Sequence, residues 1–356
     1  MKEGWFEEKT KKFSSIGGYQ KPELIQDSVK LDSNENYIIP KQFQNDIISS
    51  ARKNSDIREY PLGGVERLIN IISKFTKIHS SMIGIGNGSD QILDLILSNF
   101  ASKQTTVLTS KPTFGFFEER CKLYGIPLIT IPFSNDMKLN INDFLKQSKK
   151  ADILYLDSPN NPTGFQFTKN ELQKLVKSFN GLVIIDEAYG EFGEYSLSGM
   201  VKNQENLIVV QTLSKSFGLA GLRLGYFIAN KKFTDAFMNV LQYPYPVSTI
   251  TIESGIQALE KSNIMKDAVD TIKIERKRII ETLQKYDTFE IFDSKANFVL
   301  FDAYGSYKRV YSALAEQGIS IRKLGKIGNH KGCLRVTIGT KEMNSKFLLA
   351  IRDLLG

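Results

Sequence analysis

Three short apolar runs in the middle of this 356-residue chain end in residues able to do chemistry. Ile153 to Leu156 leads into Asp157-Ser158-Pro159-Asn160-Asn161-Pro162-Thr163-Gly164, and Val183 to Ile185 leads into Asp186-Glu187-Ala188-Tyr189. Leu207 to Val210 leads into Gln211-Thr212-Leu213-Ser214-Lys215. In open parallel sheets ligands bind outside the carboxyl ends of the strands. If the three runs are neighbouring strands, an amide, a carboxylate and an amine therefore converge on one crevice.

Each group has a specific requirement. Lys215 precedes Ser216-Phe217-Gly218-Leu219-Ala220-Gly221, a small-residue turn that lets a bulky planar ligand approach the backbone. A free lysine titrates near ~10.4, so as a nucleophile it must be partly desolvated or placed beside other cations. Condensed with an aldehyde, it becomes an imine. Taken alone, a lysine after a strand is most often a surface charge. A carboxylate at the end of a buried strand, as at Asp186, costs several kcal/mol unless it meets a cation or several donors. A protonated pyridine nitrogen is such a partner, and the pair would hold the ring in its electron-accepting form. At ~4 Å and an effective dielectric of ~20 the attraction is about 4 kcal/mol, which corresponds to roughly a thousandfold in rate. A helix N-cap or loop carboxylate is the plain alternative for Asp186.

A fourth feature concerns anions. Gly84-Ile85-Gly86-Asn87-Gly88-Ser89-Asp90 precedes the helical apolar pattern Ile92-Leu93-Leu95-Ile96. Free backbone N–H groups and the positive end of a helix dipole would point at a phosphate there. Ser89 occupies the third glycine position of G-x-G-x-x-G and a P-loop lysine is missing, which argues against dinucleotide binding. A tight turn is the bland alternative. Thr212, Ser214 and Arg223 could add hydroxyl and guanidinium donors to the same phosphate, Arg223 in a forked geometry.

The elements that must position these groups are legible as alternating short apolar and longer amphipathic segments, the pattern of a largely parallel sheet covered by helices. Expected strands are 106–109, 153–156, 182–185, 207–210 and 224–228. Expected helices are 90–100, 169–177 and one long helix over 249–286. After Tyr243-Pro244-Tyr245-Pro246 the pattern changes, with later strands around 297–301 and 333–338. A chain of this length predicts about two domains. With 41% hydrophobic and 24% charged residues it has the balance of an ordinary globular protein.

Composition also removes several functions. Cys121 and Cys333 are the only cysteines and His79 and His330 the only histidines, so neither a disulfide framework nor a Cys- or His-rich metal centre is expected. Lys and Arg outnumber Asp and Glu by 47 to 39, for a net charge of +8. The longest basic cluster, Lys273 to Arg278, is broken by Glu275 and reads as a solvated helix face rather than a nucleic-acid stripe. No apolar run reaches the roughly 18 residues of a membrane span, and the first residues show no signal-peptide stretch. A cytoplasmic enzyme without membrane or nucleic-acid partners is expected.

Taken together, these segments resemble the pyridoxal-phosphate enzymes of fold type I, specifically class I/II aminotransferases of the histidinol-phosphate aminotransferase type. The resemblance rests on 158–164, 185–189, 212–225 and Leu334-Arg335-Val336-Thr337-Ile338-Gly339-Thr340, and extends from Leu31 to about Asn344. It implies an α/β fold: a large domain with a mostly parallel seven-stranded sheet flanked by helices, and a smaller α/β C-terminal domain. The expected division is an N-terminal arm over 1–32 joining the small domain, a large cofactor-binding domain over 33–245 and a small domain over 246–356. The cofactor would be pyridoxal 5'-phosphate.

Roles follow from the resemblance residue by residue. Lys215 would hold the cofactor as an imine and shuttle the proton at the substrate carbon, and Asp186 would pair with the pyridine nitrogen. Asn161 and Tyr189 would hydrogen-bond the phenolic oxygen, and Phe114 would stack on the ring. Gly88 and the amides of Ser89 and Asp90, with Thr212, Ser214 and Arg223, would hold the phosphate. Tyr60 would reach the phosphate from the neighbouring subunit, implying a homodimer with shared sites. Arg335 and Arg322 would grip substrate anions, with Tyr19 and Asn36 lining the same pocket. Two arginines suit alternating occupation by glutamate (or 2-oxoglutarate) and a phosphorylated substrate.

The sequence departs from the family pattern around the substrate entrance. Tyr37 replaces a usual proline, Leu62-Gly63-Gly64 follows Tyr60-Pro61 where an acidic residue is usual, and Gln91 replaces a usual glutamate. Histidinol phosphate is the leading expected substrate. Another short phosphate ester, such as a three-carbon phospho-ketone, stays open, as do a phospho-amino-acid decarboxylase and a non-catalytic cofactor-binding module.

Overall fold

The computed structural model describes residues 4–16, 18 and 27–355. Its strands are β1 Val29–Leu31, β2 Ile83–Asn87, β3 Val107–Lys111, β4 Leu128–Pro132, β5 Ile153–Asp157, β6 Leu182–Asp186, β7 Leu207–Thr212, β8 Leu224–Ile228, β9 Glu290–Ile291, β10 Phe298–Asp302, β11 Ile319–Ile327 and β12 His330–Thr337. Seven of them form one sheet in the order β2-β8-β7-β6-β5-β3-β4, in which only β8 runs antiparallel to its neighbours. The other five form a sheet in the order β1-β11-β12-β10-β9, with β1 parallel to β11 and the remaining pairs antiparallel.

The apolar runs become central strands because both of their faces are covered. Successive side chains point to opposite faces. Leu154, Leu156, Val183, Ile185, Leu207 and Val209 accordingly enter one core cluster, while Ile153, Tyr155, Ile184, Ile208 and Val210 enter the other. Each such side chain stabilises the fold by roughly 1.5–3 kcal/mol. The covering helices follow their sequence signals. Gly88–Phe100 buries Ile92, Leu93, Ile96 and Leu97 against the sheet. Lys169–Ser178 starts at a capping box in which Thr168 and Glu171 each accept from the other's backbone N–H, worth about 1 kcal/mol.

Two expectations need correction. β3, β5, β6 and β7 run one or two residues further than the apolar runs suggested, which carries Asp157, Asp186 and Thr212 into the sheet itself. The ladder hydrogen bonds continue past the last apolar residue because these polar side chains find partners inside the protein. The long helix expected over 249–286 is two helices, Thr249–Glu260 and Ser262–Leu283, separated by Lys261 at φ −101° and ψ 32°. The first is buried along most of its length against the helices Lys41–Lys53 and Gly64–Thr76, while the second turns away to cover the five-stranded sheet. No glycine or proline marks this change of direction.

Among the described residues no helix is long and apolar enough to cross a membrane.

Candidate active site

The C-terminal ends of β5, β6 and β7 open into a cavity of about 270 Å³ whose far wall comes from β11, β12 and the segment after β1. Asp186 is the last residue of β6 and Asp157, its register partner, the last of β5. Asp186 is buried; its Oδ2 accepts from the Tyr155 hydroxyl at 3.0 Å and its Oδ1 from the Ala188 amide at 3.0 Å. Burial, and then the nearby Asp157, push its carboxyl up to about 7. Its hydrogen-bond donors are a phenol and an amide, and a second carboxylate stands beside it.

Asp157 ties the floor together. It accepts from Thr113 Oγ1 at 2.9 Å, Asn160 Nδ2 at 2.8 Å and the Asn161 amide at 2.8 Å. Burial pushes it up to about 6 against these donors. Phe114, next to Thr113, lines the cavity.

Lys215 lies three residues past β7. Its Nζ donates to the Ser33 carbonyl at 3.1 Å and stands 5.8 Å from the centre of the Tyr189 ring. The Tyr189 hydroxyl accepts from Asn34 Nδ2 at 2.8 Å. Asn161 Oδ1 accepts from Arg335 Nη1 at 2.6 Å, while Arg335 Nη2 donates to the Asp32 carbonyl at 2.8 Å. Arg322 stands opposite Arg335 in the β11–β12 register and also lines the cavity.

An anion cradle closes the other end. Gly88, at φ +80°, opens the helix whose first turn carries Ser89 and Asp90. Arg223 Nη2 pairs with Asp90 Oδ2 at 2.9 Å. Thr212 Oγ1 lies 3.0 Å from Ser214 Oγ and accepts from the Ser214 amide at 3.1 Å. A Cβ on Gly225 would fall 2.4 Å from the Ser89 amide nitrogen, and one on Gly88 would fall 2.6 Å from Arg223 Nη2. Both glycines are therefore what lets the cradle walls close. Helix-terminal amides, hydroxyls and a guanidinium at one end, a buried carboxylate at another and a primary amine in the same cavity fit a flat, phosphate-bearing, cationic ring aldehyde.

Ser89, Asp90, Phe114, Asn161, Asp186, Tyr189, Thr212, Ser214, Lys215, Arg223, Arg322 and Arg335 all line this one cavity. Asn36 corrects the expectation for it: the residue stands behind the wall, donating to the Ser216 carbonyl at 2.7 Å and accepting from the Ile38 amide at 3.0 Å. Its amide nitrogen fixes the loop after Lys215 and its oxygen its own turn at Ile38, and Asn34 takes the place on the wall. Tyr60 is 70% exposed and stacks on Tyr245 at 4.2 Å, outside its own chain's cavity. Tyr19 lies outside the described residues. Asp157, Asn34 and Tyr155 are functional candidates that sequence reasoning missed. The acid that ends the β5 run, one strand over from Asp186, was the available signal for Asp157.

A family model, aminotransferase class I and II, matches residues 26–351. The chain is 35% identical over 326 residues to the histidinol-phosphate aminotransferase of Pyrococcus furiosus, covering 91% of this chain and 92% of that protein. It is 31% identical over 331 residues to the enzyme of the same description from Thermoanaerobacter pseudethanolicus, covering 92% and 93%. Among solved structures, the histidinol-phosphate aminotransferase of Clostridium acetobutylicum superposes with a TM-score of 0.83 at 29% identity, over 91% of this chain and 98% of that one.

Proposed function

Because this chain belongs to the aminotransferase class I and II family, we propose that it moves an amino group between glutamate and a small phosphorylated carbonyl or amine compound, with histidinol phosphate and its keto form as the first pair to test. The cofactor of the family is pyridoxal 5'-phosphate, which when bound supplies an electron-accepting ring that stabilises negative charge at the substrate carbon bearing the nitrogen.

The chain's own groups divide the remaining work. Asp186 keeps a proton on the ring nitrogen, and Lys215 Nζ takes and returns the proton at the reacting carbon. Asn161 and Tyr189 would hydrogen-bond the cofactor's phenolic oxygen, and Phe114 would pack against the ring. The amides of Ser89 and Asp90, with Thr212, Ser214 and Arg223, hold the phosphate. Arg335 and Arg322 bind the anionic ends of the two alternating substrates. The observation that carries this reading is Asp186: a buried carboxylate at a strand end, pushed up by burial and lining the same cavity as Lys215 and a helix N-terminus.

The reading includes a cytoplasmic homodimer in which Tyr60 serves the neighbouring site. It is supported by the exposed, stacked Tyr60–Tyr245 pair and by exposed apolar side chains close to it in the chain, Ile57, Leu62, Val240 and Tyr243, since exposed apolar surface marks interfaces. It also includes an arm over 1–32, a large domain over 33–245 and a small domain over 246–356. The seven-stranded sheet falls within the second range, and β9 to β12 within the third.

Incubation of the purified holoenzyme with 2-oxoglutarate and histidinol phosphate should form glutamate. Turnover confined to glutamate with dihydroxyacetone phosphate would move the substrate to a three-carbon ester. Carbon dioxide release from a phosphorylated amino acid, with glutamate untouched, would replace transamination by decarboxylation.

A further inference from the structure

Away from the cavity, the outer edge of the five-stranded sheet holds three ligand-type side chains on adjacent strands: Glu290 on β9, Asp302 on β10 and His330 on β12. We propose that Glu290, Asp302 and His330 form a site for a divalent transition metal of the zinc type, with an open fourth position at its exposed face. His330 Nδ1 lies 3.1 Å from Asp302 Oδ2 and 3.4 Å from Glu290 Oε2, and the three ligand atoms lie within 4.8 Å of one another. Zinc binds imidazole nitrogen and carboxylate oxygen at roughly 2.0–2.2 Å, so the edges of its tetrahedron measure about 3.3–3.6 Å. Both distances from His330 lie within about 0.2 Å of that range.

The outer contacts set each ligand atom for this use. His330 Nε2 sits 2.7 Å from the Asn135 carbonyl, an acceptor only, so Nε2 carries a hydrogen and Nδ1 is the ring atom that faces the two carboxylates and would ligate a metal. Asp302 Oδ1 accepts from the amides of Tyr304 at 2.8 Å and Gly332 at 3.0 Å, which leaves Oδ2 for the shared centre. Histidine ligands that donate their second N–H to a carbonyl, and carboxylate ligands that are themselves hydrogen-bonded, are the usual outer shell of a metal site. His330 and Asp302 are buried in the sheet, and Glu290, 39% exposed, provides the entry path and the water-accessible side. Mixed nitrogen and carboxylate ligation favours zinc-like ions over magnesium. The rival arrangement is a doubly protonated His330 held between two carboxylates; it explains the same distances without a metal. A bound metal would fasten the start of β12, five residues before Arg335.

The test is metal analysis of the dialysed holoenzyme after equilibration with Zn2+, beside the variants Glu290→Gln and His330→Gln. One Zn2+ per chain is expected in the wild type, with at least tenfold weaker binding in Glu290→Gln, none at this site in His330→Gln and an unchanged cofactor absorption spectrum. Co2+ should occupy the same site with the visible bands of tetrahedral coordination. A wild type that retains no Zn2+ would overturn the proposal. Equal stoichiometry and affinity in all three proteins would place the metal elsewhere and overturn it equally. Glu290 is partly exposed and its amide is isosteric, so this variant should fold even if the histidine variant does not.

Discussion

Replacing Asp186 by asparagine tests two opposed energies. Burial and Asp157 raise the Asp186 carboxyl from 3.8 to about 7, which at about 1.36 kcal/mol per pH unit means about 4 kcal/mol against its charged form. A pyridinium nitrogen at ~4 Å, with an effective dielectric of ~20, returns about 4 kcal/mol. The charge is therefore tolerable with the cationic ring beside it and costly without it. Asp186→Asn removes both terms. Saturated turnover should fall by roughly a thousandfold, while the phosphate cradle still retains cofactor. The cofactor-free protein provides a second readout. Because the folded-state value lies above the unfolded one of about 3.9, stability from this group is fully present below about pH 4, is lost as pH rises toward 7, and then stays level. Asp157, raised to about 6, and Glu187, raised to about 7, act with the same sign. Unfolding free energies of the cofactor-free protein at pH 5 and pH 8 should thus differ less in Asp186→Asn than in the wild type. Turnover within tenfold of wild type, or identical differences between the two pH values, would refute the reasoning.

Three further outcomes are expected. Gly225→Ala would set its methyl 2.4 Å from the Ser89 amide nitrogen, a backbone clash of about 1–3 kcal/mol, so the cofactor dissociation constant should rise roughly tenfold to a hundredfold; an unchanged constant in a fluorescence titration would contradict the cradle geometry. In Asp157→Asn, an amide N–H2 must face one of the donors from Thr113, Asn160 or Asn161, and denaturant unfolding should show a loss of about 1–3 kcal/mol. Arg322→Gln should raise KM for the phosphorylated substrate by roughly ten- to a hundredfold, corresponding to a charge-assisted hydrogen bond of about 1.5–3 kcal/mol, and leave that for glutamate nearly unchanged; equal effects on both would show that Arg322 does not distinguish them.

The parts of the fold legible in sequence were those carrying a local signal. Continuous apolar runs at 153–156, 182–185 and 207–210 read as buried strands, and their polar exits located the cavity. The glycines before Ser89 marked a helix start by their own chemistry, and the capping box at Thr168 and Glu171 lay in the sequence unread. Contacts between distant segments left no such trace. Asn34 reaches Tyr189 from 155 positions away, and nothing near Asn34 or Asn36 shows which of the two faces the cavity. The break at Lys261 depends on what each helix packs against, and both halves keep a helical pattern. Asp157 was visible as a residue, but its three hydrogen bonds depend on how the loops after β3 and β5 fold together.

Reducing the native holoenzyme with borohydride and mapping its peptides by mass spectrometry tests the central assignment most directly. A single pyridoxyl adduct on the peptide containing Lys215, absent from Lys215→Ala, is the predicted result. An adduct on any other lysine, or no adduct in a protein that transaminates, would contradict it.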